Sequence, residues 1–269
     1  MKLLIINGEK KKVGEKTLPG QFDESYRPDL IKRAVHALQS AARQVYGASP
    51  GAGLVHSTKV SKRRRDYRGC YGFGISRVAR KIHSRRGTRM FWVGSFSPQT
   101  RGGRRAHPPK SDKLLVQKIN SQEKNKALRS ALSASVCKEI IVQRGHLLPE
   151  DFPFILDSSF EDISKTEEVK QLLLNLGFAD ELERAAVKKV RAGKGKLRGR
   201  RYRLRKGPLF VVSGKCALLK SGNNIPGVEI VEVKALNAEL LAPGTQPGRV
   251  ALWTEKAVDL LEKEKLFVN

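Results

Sequence analysis

Apolar residues recur at helical spacing from Pro28 to Tyr46, where Leu30, Ile31, Ala34, Val35, Leu38, Ala41, Ala42 and Val45 fall on one side. The pattern predicts an amphipathic helix with a buried face. Pro28 suits its first turn, Asp29 complements the positive end of its dipole, and Gly47 offers a left-handed stop. From Gly47 to Pro109 the periodicity disappears into glycine, arginine and serine, and no apolar repeat there defines an element able to bury itself. A free loop of that length inside a compact domain is normally functional or disordered. Helical spacing returns across Lys113 to Gln143, with Leu128, Leu132, Val136 and Ile140 on one face and an end near Gly145.

Beyond that point short apolar runs alternate with helical patterns. Phe154 to Asp157 reads as a strand, Thr166 to Leu176 as a helix stopped by Gly177, and Asp180 to Val190 as another helix. Leu209 to Val212, Val228 to Val233 and Val250 to Trp253 read as further strands, and Thr254 caps a last helix reaching about Lys265. The alternation predicts an α/β chain: a single globular domain with a largely parallel sheet flanked by helices, carrying a long basic internal loop. The expected division is residues 1–46 and 111–269 for the domain, 47–110 for the inserted loop and 188–207 for a second basic segment.

Charge changes this picture more than composition does. The 269 residues are 39% hydrophobic, enough for an ordinary core, yet the formal net charge is +27. Such an excess calls for a polyanionic partner. Between Lys59 and Lys110 sixteen Lys and Arg face one acid, Asp66, and between Lys188 and Lys206 eleven face none. These two stretches hold +15 and +11 of the total, so a nearly neutral body carries two cationic arms. No run of 18 apolar residues occurs, and the opening Met1–Asn7 meets polar Gly8–Lys12 before a signal-peptide core could form. A cytoplasmic chain without a membrane partner is expected. Cys70, Cys137 and Cys216 lie far apart with no CxxC pair, so neither a disulfide framework nor a metal site is expected.

Catalytic and cofactor motifs are missing. Gly72-Phe-Gly74 and Gly193-Lys-Gly195 lie inside basic tracts, not between a strand and a helix, and no GxxxxGK[ST] loop occurs. His56, His83 and His107 sit in the first arm, where Asp66 alone could orient them; His36 lies beside an apolar stripe, and His146 follows a helix stop. Paired groups of complementary role, the requirement of acid–base or nucleophilic work, are not spaced for it. Glu167, Glu168, Glu181 and Glu183 fall in first helical turns, where the helix dipole accounts for them. No catalytic residue and no cofactor is expected.

The arms instead suit RNA. Their arginines supply planar forks for phosphates, their glycines let backbone approach closely, and Tyr67, Tyr71, Phe73, Phe91, Trp92 and Tyr202 are interspersed where aromatic rings can stack on unpaired bases. The expected RNA-binding residues of the first arm are Lys59, Lys62, Arg63, Arg64, Arg65, Arg68, Arg77, Arg80, Lys81, Arg85, Arg86, Arg89, Arg101, Arg104, Arg105, His107 and Lys110. Those of the second are Arg198, Arg200, Arg201, Arg203 and Arg205. Like charges at this density repel, so the free loop is expected to order only when phosphates neutralise it. An RNA-modifying enzyme and a DNA-binding protein with a basic arm are the alternative readings.

The run Arg101-Gly-Gly-Arg-Arg-Ala-His-Pro-Pro-Lys110, with Ser111-Asp-Lys, Lys126-Ala-Leu-Arg-Ser-Ala-Leu132, Leu18-Pro19, Phe22 and Arg27-Pro-Asp-Leu-Ile-Lys-Arg-Ala34, resembles the ribosomal large-subunit protein four family in its archaeal and eukaryotic branch. The resemblance spans essentially the whole chain. No lysine-rich tail follows Asn269, which is similar to the archaeal members. The resemblance implies a non-enzymatic α/β domain on the outside of the large subunit, with a loop threading into large-subunit rRNA. Its tip, near residues 68–90, would line the peptide exit tunnel at a constriction shared with ribosomal protein L-twenty-two, and Gly103 to Pro109 would form the returning stem against RNA. The tip departs from the family pattern around Ser76 to His83 and Met90 to Val93.

Overall fold

Three runs with almost no polar alternation, Phe154–Leu156, Leu209–Val212 and Ala251–Thr254, are buried along their whole length. That is the pattern of strands covered on both faces. In the computed structural model, which describes residues 1–58, 60–66, 69–87 and 89–268, they form the middle of a six-stranded sheet. In chain order the strands are β1 (Lys2–Ile6), β2 (Lys12–Thr17), β3 (Arg80–Arg86), β4 (Arg89–Gly94), β5 (Phe154–Leu156), β6 (Lys189–Val190), β7 (Tyr202–Arg203), β8 (Leu209–Val212), β9 (Glu229–Glu232) and β10 (Ala251–Thr254). The helices are α1 (Pro28–Ala41), α2 (Ser121–Val136), α3 (Lys138–Arg144), α4 (Thr166–Asn175), α5 (Ala179–Ala186), α6 (Leu218–Ser221), α7 (Ala238–Leu241) and α8 (Glu255–Lys263). The sheet order is β2-β1-β5-β10-β8-β9, with every neighbouring pair parallel except the β1–β2 hairpin.

Alternate residues of these strands serve two cores. Leu3, Ile5, Ile155, Leu209, Val211 and Trp253 pack on one side with α1, α2, α7 and α8. Ile6, Phe154, Leu156, Phe210, Val212 and Leu252 pack on the other with residues of α3, α4, α5 and α6. This is the α/β architecture, a largely parallel sheet flanked by helices, that the alternation predicts. The chain forms two compact units: Met1–Ala42 with Val116–Asn269, and Arg43–Leu115.

Several expected elements are corrected. The first helix ends at Ala41, not Tyr46, and Val45 and Tyr46 are exposed. Beyond Ala42 the chain enters the second unit, so no core remains for those side chains. Gly47 is not left-handed; a Cβ there would lie 2.7 Å from the Ser111 nitrogen, so close approach of two chain segments is what its missing side chain permits. The long helical pattern is two helices, broken at Cys137 where ψ is 109°, and residues 113–120 are irregular with Leu114 fully in solvent. The helix expected to reach Val190 stops at Ala186, because Val187 turns extended (ψ 113°) and leads into β6, which pairs with β7. The stretch read as lacking elements contains the β3–β4 hairpin. Ile82, Met90 and Trp92 recur at strand spacing on its more covered side, but the charged residues between them hide the alternation. The β1–β2 hairpin was not anticipated.

Other signals act as expected. Gly145 (φ 91°) and Gly177 (φ 88°) are left-handed at helix ends, and the Thr254 hydroxyl accepts from the Ala257 nitrogen at 3.4 Å to cap α8. At the start of α1, Asp29 takes two hydrogen bonds from Arg27 (3.0 and 2.7 Å), which hold its carboxyl down to about 2.

Candidate nucleic-acid interface

In the unit Arg43–Leu115 the outgoing and returning segments run side by side. The Ala48 nitrogen donates to the Pro109 carbonyl at 3.0 Å, a Cβ on Gly53 would sit 2.8 Å from the Arg104 Cα, and Thr58 and Ser95 hydroxyls bond at 2.8 Å. A tight turn follows β4. Thr100 donates through both its nitrogen (3.2 Å) and its hydroxyl (2.7 Å) to the Ser97 carbonyl, and a side chain on Gly103 would overlap that same oxygen. The hairpin pairs Lys81 with Val93, Ile82 with Trp92 and Arg85 with Met90, with a register shift at His83. Among the described residues of this unit Gly69, Cys70, Ala79 and Ser95 are buried, too few and too small to form a large core.

The expected RNA-binding residues lie on this framework. Lys62 to Arg65, Arg77, Lys81, Arg85, Arg86, Arg89, Arg101, Arg105, His107 and Lys110 are exposed, and Arg80 and Arg104 are half-buried. Lys59, Tyr67 and Arg68 lie outside the described residues. Arg80 is the most constrained, donating to the Ser76 carbonyl at 2.6 Å and the Ser76 hydroxyl at 2.8 Å. The aromatics are already engaged by arginines: Arg77 stands 4.3 Å over Tyr71, Arg85 4.7 Å over Phe73 and Arg89 5.0 Å over Phe91. Phe73 also meets Trp92 edge-to-face. These stacks prepay part of the ordering cost of long side chains and leave the remaining guanidinium face open.

The second basic segment is a small hairpin with a 3-10 turn at Gly193–Arg198, left-handed at Gly199. The Arg191 nitrogen donates to the Arg201 carbonyl at 2.8 Å, and the Arg191 side chain reaches the Arg200 carbonyl at 3.1 Å. Arg198, Arg200, Arg201, Arg203 and Arg205 all project into solvent.

What separates the two basic regions from the rest of the protein is pairing. Many body cations meet acids, among them Lys10 with Asp151 (2.7 Å), Lys16 with Asp259 (2.6 Å), Arg33 with Glu123 (2.9 Å), Arg129 with Glu24 (2.9 Å) and Lys234 with Glu264 (2.7 Å). Among the described residues, no Lys or Arg of residues 59–110 forms an ion pair, and in 188–206 only Lys206 does, with Glu229. Exposed pairs contribute little stability, so the contrast matters for the field rather than for the fold. The charge left over is concentrated on two exposed surfaces.

One acidic residue departs from the dipole explanation. Glu181 is fully buried and accepts from Arg184 Nε (2.7 Å) and Nη2 (2.6 Å), from the Leu147 nitrogen (3.0 Å) and from His146 Nδ1 (2.6 Å). Burial alone would raise its pKa, but these hydrogen bonds outweigh that and hold the carboxyl below its ordinary range. Burial in turn pushes the His146 imidazole down, against the pull of Glu181. His146 is thus a neutral donor ordered by a carboxylate, in the packing role. Arg144 and Arg184, absent from the sequence expectations, stand beside it. Their only signal in the sequence is a place in the last turn of a helix, which the dipole already accounts for.

The chain is similar to known proteins over nearly its whole length. The model of the ribosomal protein L4/L1 family matches residues 16–264. The chain belongs to that family. Large ribosomal subunit protein uL4 of Nanoarchaeum equitans is 48% identical over 99% of this chain and 100% of its own length. The uL4 proteins of Methanocaldococcus jannaschii and Archaeoglobus fulgidus are each 40% identical, over 98% and 97% of this chain and 99% and 98% of their own. The L4/L1 family match runs through both structural units, and the conspicuous Arg101–Lys110 run of this member forms the returning side of the paired stem.

Proposed function

We propose that the protein is a structural constituent of the large ribosomal subunit that binds and stabilises large-subunit rRNA, its loop at residues 47–110 reaching the wall of the peptide exit tunnel. Membership of the L4/L1 family and full-length relatives named as large-subunit proteins support the ribosomal assignment, and with it a non-enzymatic role in translation on cytoplasmic ribosomes. No helix among the described residues is long and apolar enough to cross a membrane.

The observation that carries the RNA reading is the unneutralised charge. The candidate contacts are the basic residues from Lys59 to Lys110 together with Arg198 to Arg205, on surfaces where acids are scarce, whereas many cations of the body have an acid beside them. Backbone turns at Gly103 and Gly199, and arginines already stacked on Tyr71, Phe73 and Phe91, present guanidinium groups in fixed positions for phosphates. In this reading the hairpin of β3 and β4 is the part that reaches the tunnel, beside ribosomal protein L-twenty-two, and the stem at Arg101–Lys110 lies against RNA.

If ten arm cations each displace a counterion, the affinity for large-subunit rRNA falls with a log-log salt slope of about −7 to −9. Filter binding across a salt series measures it, with duplex DNA as competitor. A slope shallower than about −3, or equal affinity for duplex DNA at physiological salt, refutes the reading. Deleting Gly69 to Met90 should leave a folded body that still joins subunits but alters the tunnel wall; unfolding of the body would show that the loop belongs to its core.

A further inference from the structure

The end of the second basic hairpin returns to the body beside α3 and α5, and there it forms one wall of a cleft of about 640 Å3. Arg144, Arg184, Lys189, Arg203, Arg205 and Lys206 line it, and among the described residues no carboxylate does. Pockets of this size that hold small organic ligands are mostly apolar, whereas this one is walled by cations. Two acids stand behind the lining. Glu181 occupies Arg184, and Glu229 is shared between Lys206 and the buried Arg249. Arg144, Lys189, Arg203 and Arg205 therefore have no acidic partner among the described residues.

The cleft is built rather than merely exposed. Arg144 is held by two carbonyls, Pro243 at 2.8 Å and Pro247 at 3.4 Å. Arg184 is fixed by the buried Glu181 and donates to the Lys206 carbonyl at 2.8 Å, tying the hairpin's return to the floor. Lys189 and Arg203 are opposite residues of the β6–β7 pair. Burial, with the nearby charges of Arg249 and Arg184, brings Arg144 down to about 10, so it stays charged at neutral pH in a place that penalises its charge. Four unpaired cations converging on one cavity repel one another, and an anion bearing several charges relieves both that repulsion and the burial cost.

We propose that this cleft binds successive phosphates of one sharply turned RNA strand. The inference rests on the RNA reading above and adds to the arm candidates Arg203 and Arg205 two residues of the body, Arg144 and Arg184, and Lys189 at the root of the second hairpin. Several phosphates are required because one would leave most of the guanidinium and ammonium groups unmatched. Val187 and Leu204, each about half exposed at 48% and 53%, give an apolar rim against which a ribose or an unstacked base can lie.

The probes are inorganic tripolyphosphate, followed by calorimetric titration and thermal shift, and large-subunit rRNA, followed by filter binding across a salt series, all with the full chain. Tripolyphosphate should bind saturably, and Arg144→Gln and Lys189→Gln should each weaken it about tenfold. Lys189 is exposed, so its variant keeps the test valid if Arg144→Gln misfolds. Each variant should also reduce the rRNA salt slope by about 1. Absence of tripolyphosphate binding, or equal binding by both variants and the parent, overturns the cleft. Loss of tripolyphosphate binding with an unchanged rRNA slope overturns the RNA strand as its ligand and assigns the cleft to a free oligophosphate. Arg105→Gln separates this from the wider reading: it should reduce the rRNA slope without touching tripolyphosphate, and if it leaves the slope unchanged the arm reading fails, whatever the cleft does.

Discussion

Glu181→Gln is the most informative single change in the body. The carboxylate receives four donors, two from Arg184 and one each from His146 and Leu147, at 2.6 to 3.0 Å in a fully buried position. Only a carboxylate offers acceptors on both oxygens. Glutamine keeps the shape but turns an NH2 toward donors and leaves Arg184 without its counter-charge. Breaking one side of such a buried pair costs about 3–5 kcal/mol. For a body of this size about 2–4 °C of melting temperature accompanies each kcal/mol, so a loss of roughly 6 °C or more is expected at pH 7.5 by circular dichroism. The pH dependence carries a sign as well. His146 is held below its ordinary 6.5, so the unfolded chain takes up that proton first, and stability present above pH 6.5 declines as the pH drops below it. Glu181 is held below its ordinary 4.5, so its contribution is complete above that pH and is lost as the pH falls through its lower folded value. The gap between parent and variant should accordingly be present at neutral pH and shrink as the pH falls from about 4.5 through the lower folded value of Glu181. A variant melting within 2 °C of the parent at pH 7.5, or a gap that does not shrink as the pH falls well below 4.5, refutes this account.

Further outcomes follow from single contacts. Gly248→Ala meets both a left-handed backbone (φ 88°) and the Ile140 carbonyl oxygen 2.8 Å from the new Cβ, and it should cost about 2–3 kcal/mol in denaturant unfolding. Thr254→Ala removes the α8 cap and the hydroxyl that donates to Glu161 at 2.6 Å; a loss of about 1–2 kcal/mol, largely restored by Thr254→Ser, is expected in the same assay. Gly103→Ala cannot keep the turn against Ser97, so trypsin should cut faster at Arg101, Arg104 and Arg105 while the melting temperature of the body holds to within about 2 °C. An unchanged cleavage rate would show that the turn does not need glycine.

Elements whose cause lies within a few residues were legible in advance. The β8 and β10 runs are apolar at nearly every position because both faces of a parallel strand are covered, and Gly145, Gly177 and Thr254 mark ends through backbone freedom or a local hydrogen bond. The placement of charge, two cationic surfaces on a neutral body, is likewise a property of the chain. Features with distant causes were not. The helix beginning at Pro28 stops at Ala41 because the core ends there, not because of Gly47, and Gly47 answers to Ser111, 64 positions away. The β3–β4 hairpin is masked by arginines whose rings of contact, Tyr71, Phe73 and Phe91, are supplied by folding.

For the cleft the division is sharper. Residue types and local periodicity determined that the protein would be an α/β body with a surplus of positive charge gathered in two stretches. Only the tertiary structure decided that Arg144, His146, Glu181, Arg184 and Lys189 would meet, since Glu181 and His146 are 35 residues apart and each has an adequate local explanation. Pairing is a property of distance in space: an acid in a first helical turn looks the same in sequence whether it faces water or closes a buried ion pair.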